Sequence, residues 1–213
     1  MRDRFSSLLL PAAEAQPVFR EDFELTNSYQ YVSPTFNPSL PREQWPLWPE
    51  GRYTIAGSPN SVHPLFAAFP DHTTGSGKMY IVNGVANTVV WARVISGLTV
   101  GHSYAVRLWA ATAYPLNPAR LRISIPGGAT GPEVLLPTST GVWVPVDLSF
   151  TASAQQVFIE VKDLVQSAGG NDFVVDDIEI TNVTTAKRLL KEDFEVFSNY
   201  DYVERTWLRG CAF

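Results

Sequence analysis

Between Phe19 and Ile180 apolar residues recur at every second position, and this alternation constrains the fold more than anything else in the chain. Tyr104, Val106 and Leu108 alternate with Ala105, Arg107 and Trp109; Leu121, Ile123 and Ile125 alternate with Arg120, Arg122 and Ser124. Val157, Ile159 and Val161 alternate with Phe158, Glu160 and Lys162. A period of two places one set of side chains on a core and the other toward water, as in half-buried strands. Turn residues separate the runs, among them Ser96-Gly97, Val100-Gly101, Pro126-Gly127-Gly128 and Gly169-Gly170-Asn171. The pattern predicts strands over 18–25, 52–56, 77–83, 88–95, 103–113, 119–125, 142–150, 155–162 and 173–180. No window of helical length carries a capped 3.6-residue period. The expected fold is all-β: a two-sheet antiparallel β-sandwich, a jelly roll, with extended N- and C-terminal arms. The expected organisation is an arm over 1–17, the sandwich over 18–182 and a second arm over 183–213.

Composition narrows the function. The chain has 213 residues, a net charge of −5 and a single cysteine, Cys211. The acidic balance argues against nucleic acid, whose partners present basic faces. One thiol excludes an internal disulfide and a cysteine-based zinc site. No stretch approaches the ~20 apolar residues of a membrane-spanning helix. Near the N-terminus Leu8-Leu9-Leu10 and Ala13-Glu14-Ala15 suggest a leader, but the apolar run is brief and broken by Pro11, so no cleaved signal peptide is expected.

Enzyme signatures are absent. There is neither a His-Glu-x-x-His nor a Gly-x-Ser-x-Gly, and Gly75-Ser76-Gly77-Lys78-Met79 lacks the first glycine and the hydroxyl residue of a phosphate loop. A non-catalytic protein is expected. Its acids gather at two places, Glu21, Asp22 and Glu24 near the first strand and Asp172, Asp176, Asp177 and Glu179 near the last. A jelly roll can bring those strands together, and such a concentration of like charge calls for a cation. Calcium, which takes six to eight oxygens in irregular geometry, fits the chemistry. Trp45, Trp48 and Tyr53 lie in or beside a proline-rich stretch, and Tyr114 lies in a loop. Flat aromatic rings make platforms for the apolar C–H faces of sugars. The bland alternative is that the tryptophans pack as a lid over one end of the sandwich, the commoner use of large aromatics.

The segments Glu21-Asp22-Phe23-Glu24, Thr74 to Gly84, Ile95 to Tyr104 and Gly170-Asn171-Asp172-Phe173-Val174-Val175-Asp176-Asp177-Ile178 occur in an order that resembles the galactose-binding-like, carbohydrate-binding-module-like jelly rolls of bacterial surface and secreted proteins. The resemblance covers roughly residues 18–182. It implies a structural calcium joining the first and last strands, with Glu24 and Asp176 as its first-choice ligands and Asp22, Asp71 and Asp177 as second choices.

A repeat completes the reading. Residues 190–203 match residues 19–32 at seven of fourteen positions, and Glu192-Asp193-Phe194-Glu195 copies Glu21-Asp22-Phe23-Glu24. Tyr200 and Tyr202 fall on Tyr29 and Tyr31. The copy is either the start of a second module or a mimic of the first strand, and in the second case Phe194, Glu195, Tyr200 and Tyr202 would mediate assembly at a sheet edge of another subunit. The leading functional expectation is a structural or adhesion module on an extracellular or virion surface assembly, contacting glycans. The alternatives are a self-assembling homo-oligomer and an accessory module of a secreted hydrolase.

Overall fold

The computed structural model describes residues 17–24 and 47–184. Residues 1–16 and 185–213 of the arms, Trp45 and the four assembly residues lie outside the described residues, and Pro17 belongs to the first strand. Ten strands follow in order: β1 Pro17–Glu21, β2 Arg52–Ala56, β3 Met79–Asn83, β4 Thr88–Ser96, β5 Ser103–Thr112, β6 Arg120–Ser124, β7 Val134–Leu135, β8 Val144–Thr151, β9 Gln156–Asp163 and β10 Phe173–Asn182. The only helical element among the described residues is a single 3-10 turn, Pro59–Ser61. Nine strands fall where the alternation places them, with small shifts at their ends. The tenth, β7, is two residues long, too short to show a period.

The strands form two antiparallel sheets packed as a sandwich, the jelly roll expected. One sheet runs β2-β3-β10-β5-β8 and the other β4-β9-β6-β7. β10 is long enough to hold two partners end to end on one side: β3 pairs with Phe173–Val175, and β1 pairs with Ile178–Thr181. First and last strands therefore lie side by side. Pro145 sits in β8, an edge strand whose one neighbour is β5, the place in a sheet where proline is tolerated.

The main core fills the space between the sheets. Tyr80, Trp91, Tyr104, Leu108, Leu121, Ile123 and Phe173 are all fully buried in it, each contributing about 1.5–3 kcal/mol by leaving water. A second, smaller core lies on the outer face of the first sheet. There Met79, Ile81, Ala111 and Val174 are covered by Leu47, Val62 and Phe66. This explains why β3 reads Met-Tyr-Ile-Val-Asn without polar alternation: both its faces are buried.

Candidate functional site

Three carboxylates converge on the loop from Asp71 to Lys78. Asp71 accepts the amide N–H groups of Thr74 (2.6 Å) and Gly77 (2.7 Å). Burial alone would raise its carboxyl, but these donors outweigh burial and hold it below its ordinary value. Asp176, from β10, accepts the amides of His72 (2.9 Å) and Thr73 (3.2 Å) on one oxygen and that of Asp177 on the other. Its burial, reinforced by the charge of Asp177, pushes its carboxyl up to about 7. Glu24, just past β1, accepts the Lys78 N–H at 2.8 Å, while Lys78 Nζ donates to its backbone carbonyl. Burial raises the Glu24 carboxyl, and the charges of Asp71 and Asp22 add to it. One loop is thus tied to both the first and the last strand.

Among the described residues no three His, Cys, Asp or Glu side chains are gathered where they could hold a metal ion. The five expected ligands divide. Glu24 and Asp71 meet at Gly77: the Glu24 carboxylate fills the space a Cβ there would take, and Asp71 accepts the Gly77 N–H. Asp176, from β10, binds the same loop at His72 and Thr73. Asp22 and Asp177 instead turn to Arg20, at 3.8 and 2.8 Å, and Asp177 also bonds His72 Nδ1 at 2.8 Å. Arg20 supplies there the positive charge the acidic cluster demands. Register breaks between Asp176 and Glu179, and Asp177 takes φ 46°; this β-bulge brings the two adjacent aspartates to one loop, where His72 and Thr73 each bond both, and Asp177 reaches Arg20 as well.

The aromatic expectations also divide. Trp48 is 60% exposed, so it is no lid. Its ring stacks on His63 at 6.4 Å, and His63 rests on Phe66 at 4.3 Å. The adjacent Leu47 anchors the segment, its N–H donating to Val62 O and its carbonyl accepting from Asn83 Nδ2 at 2.7 Å. Burial holds the His63 ring toward its neutral form. Tyr53 is not a platform. The parity of β2 turns it inward, where it is buried and stacked on Tyr80 at 4.9 Å. Tyr114 is half-buried against the second core.

A further aromatic group, missed in the sequence, lies on the outer face of the first sheet. His72 stacks on Trp109 at 4.3 Å and meets Trp143 edge-on at 5.4 Å; Phe69 approaches Trp143 at 6.1 Å. Arg107, on the same face as Trp109, forks onto Asp147 at 2.7 and 3.0 Å. The outward parity of Trp109 in β5 was the available signal. At one end of the sandwich an open depression of about 440 Å³ is lined by Asn117, Arg120, Glu133, Leu135 and Gln166, without an aromatic ring. Behind that end lies a buried polar cluster. Asn171 Nδ2 donates to Asp163 at 2.6 Å, and Asp172 accepts the Gly84 N–H at 3.0 Å.

No protein-family model matches the sequence, and no curated protein is similar to it. Solved structures are similar in fold. The CBM22-1–CBM22-2 tandem domain of Xyn10C from Paenibacillus barcinonensis superposes with a TM-score of 0.50 and 12% identity, covering 87% of this chain and 52% of that one. The CBM22-1 xylan-binding domain of the same protein gives 0.48 and 10%, covering 81% and 97%. The C-terminal domain of EclA, a sugar-binding protein, gives 0.42 and 22%, covering 45% and 68%. The sandwich therefore shares the jelly-roll fold of the tandem domain, and at 12% identity the likeness is one of fold alone.

Proposed function

We propose that this domain is a non-catalytic carbohydrate-contacting module that works outside the cell, with Trp48 as its sugar platform. The observation that carries the reading is an indole held out to solvent on a fixed support, between the buried anchor Leu47 and the ring of His63. A pre-positioned ring offers its apolar face to a sugar without the entropy cost of ordering a loop on binding. The fold likeness to sugar- and xylan-binding domains supports the same reading. The carboxylates Glu24, Asp71 and Asp176 are engaged by backbone amides, an arrangement suited to holding a loop. Display on a large extracellular or virion surface suits such a module, as does attachment to a secreted hydrolase. Calcium held by Glu24 and Asp71 is part of the proposal, since the two acids repel each other at Gly77 and a cation there would relieve that repulsion.

The test is retention on gels containing xylan, a β-glucan or a galactan. Trp48→Ala should abolish retention on whichever polymer binds, with the melting temperature unchanged because the side chain is exposed. Retention lost on Trp109→Ala but kept on Trp48→Ala would move the platform to the sheet face. A wild-type protein retained by none of these polymers, nor by a broad glycan array, would sink the reading.

A further inference from the structure

The position that β1 occupies beside β10 makes a specific set of demands. Phe19 packs 6.4 Å from Trp91 and beneath the Arg93 guanidinium, at 4.6 Å. Arg20 bridges Asp177 (2.8 Å) and Glu179 (3.4 Å). Glu21 faces Arg93 at 3.8 Å and accepts the Phe23 N–H at 2.9 Å, while Asp22 accepts the Glu24 N–H at 3.3 Å. Those two bonds shape a turn in which Phe23 takes φ 61°, a left-handed conformation costly for a bulky residue. The turn delivers Phe23 into the core, fully buried and stacked on Tyr80 at 5.5 Å. Glu24 then holds the Lys78 amide.

Residues 190–195 meet the same demands in the same order. Leu190 is apolar, Lys191 is cationic, and Glu192-Asp193-Phe194-Glu195 repeats the self-capping turn without a change. We propose that this segment is a second occupant of the β1 position within its own chain, pairing antiparallel with β10 when β1 leaves. Chain geometry supports the exchange. β10 ends at Asn182, one residue past Thr181, which faces Pro17 at the start of β1. A strand that turned back after β10 would run alongside it in the direction β1 now takes, with only residues 183–189 as the connection. Arg20 and its partner Asp177 lie 157 residues apart along the chain, so closing the hairpin carries the lower entropy cost. Side-chain chemistry favours β1: Lys191 lacks the fork with which Arg20 spans two acids, and Leu190 gives Arg93 no ring to lie on. Better contacts on one side and shorter closure on the other make the position one for which two strands of a single chain compete.

Cross-linking of the full chain tests it, with Cys211→Ser as background. Arg20 faces Glu179 across the strand pair, so the register predicts that Lys191 faces Glu179 after exchange. Glu179→Cys with Arg20→Cys should form an intramolecular disulfide in the otherwise native chain and calibrates the geometry. Glu179→Cys with Lys191→Cys should do so about tenfold faster when Phe23→Ala weakens β1 than when Phe23 is intact, because the exchanged population rises. Adding Phe194→Ala should cancel that gain. Thermal unfolding checks that each chain is folded, and Phe23→Leu supplies a milder background should Phe23→Ala not fold. An intramolecular bond whose rate ignores Phe23, or no bond at all, overturns the proposal. A bond between two chains overturns it too, and would identify a second copy as the partner.

Discussion

The carboxylate of Glu24 sits in the space into which a side chain at Gly77 would project, while the Gly77 N–H is bound to Asp71. Glycine at 77 is therefore required by close approach. Gly77→Ala should expel Glu24 from the Lys78 amide and lower stability by about 1–3 kcal/mol, the cost of leaving a part-buried polar group unpaired. Denaturant unfolding measures this. Unchanged stability would show that Glu24 relocates freely and does not tie β1 to the loop.

The same pair of acids sets the calcium prediction. Calcium bound only by the folded protein should stabilise it by a free energy that grows with the ion concentration and reaches about 2.7 kcal/mol at a hundred times the dissociation constant, read as a rise in melting temperature. Glu24→Gln and Asp71→Asn should each remove the dependence, whereas Asp22→Asn should leave it, since Asp22 faces Arg20. Melting that is the same in calcium and in chelator excludes the ion.

Protonation should act in the opposite direction from ordinary acid denaturation. Burial, with the charges of Glu50 and Asp163 added, pushes the Asp172 carboxyl up to about 7, and burial pushes Asp163 up to about 6. Both values lie above the ordinary 3.8, so between about pH 4 and 7 the folded state binds more protons than the unfolded one. Stability then falls as pH rises through that window. Asp172→Asn, which keeps an acceptor for the Gly84 N–H, should raise the melting temperature at about pH 8, by about 2–4 °C for each kcal/mol recovered. At about pH 5 it should change little. Calorimetry at the two pH values decides, and equal effects at both would refute the buried-charge origin.

Strand positions were legible because one face of most strands meets water, leaving the period-two signal in the sequence. The alternation is lost where both faces are covered, as in β3, which shows only as a short apolar run, and it changes parity at a bulge. In β10, Phe173 and Val175 point inward at odd positions, yet after Asp177 the inward residues are Ile178 and Ile180. That shift puts Asp176 and Asp177, which strict alternation would send to opposite faces, together against His72 and Thr73. Trp48 was legible as an aromatic among prolines, but its exposure depends on Val62 and Asn83 anchoring Leu47 from distant segments. The grouping of His72, Trp109 and Trp143 joins three segments that no local pattern connects.

A second bulge supplies the last prediction. In β4 the register shifts between Val89 and Trp91, leaving Val90 as the extra residue, and both Val90 and Trp91 turn into the core. The Val90 carbonyl accepts from the Tyr80 hydroxyl at 2.8 Å, a buried bond from one sheet to the other. Tyr80 also stacks on Phe23 and Tyr53, so its ring is fixed by apolar packing and its hydroxyl by the bulge. Tyr80→Phe keeps the stacking and removes only the hydroxyl. It should lower stability by about 1–3 kcal/mol, because a buried carbonyl loses its partner where water cannot replace it. Tyr80→Leu should cost more, through lost ring contacts with Phe23 and Tyr53. If Tyr80→Phe melts with the wild type, the bulge carbonyl has another donor, and the bond does not help hold the sheets in register.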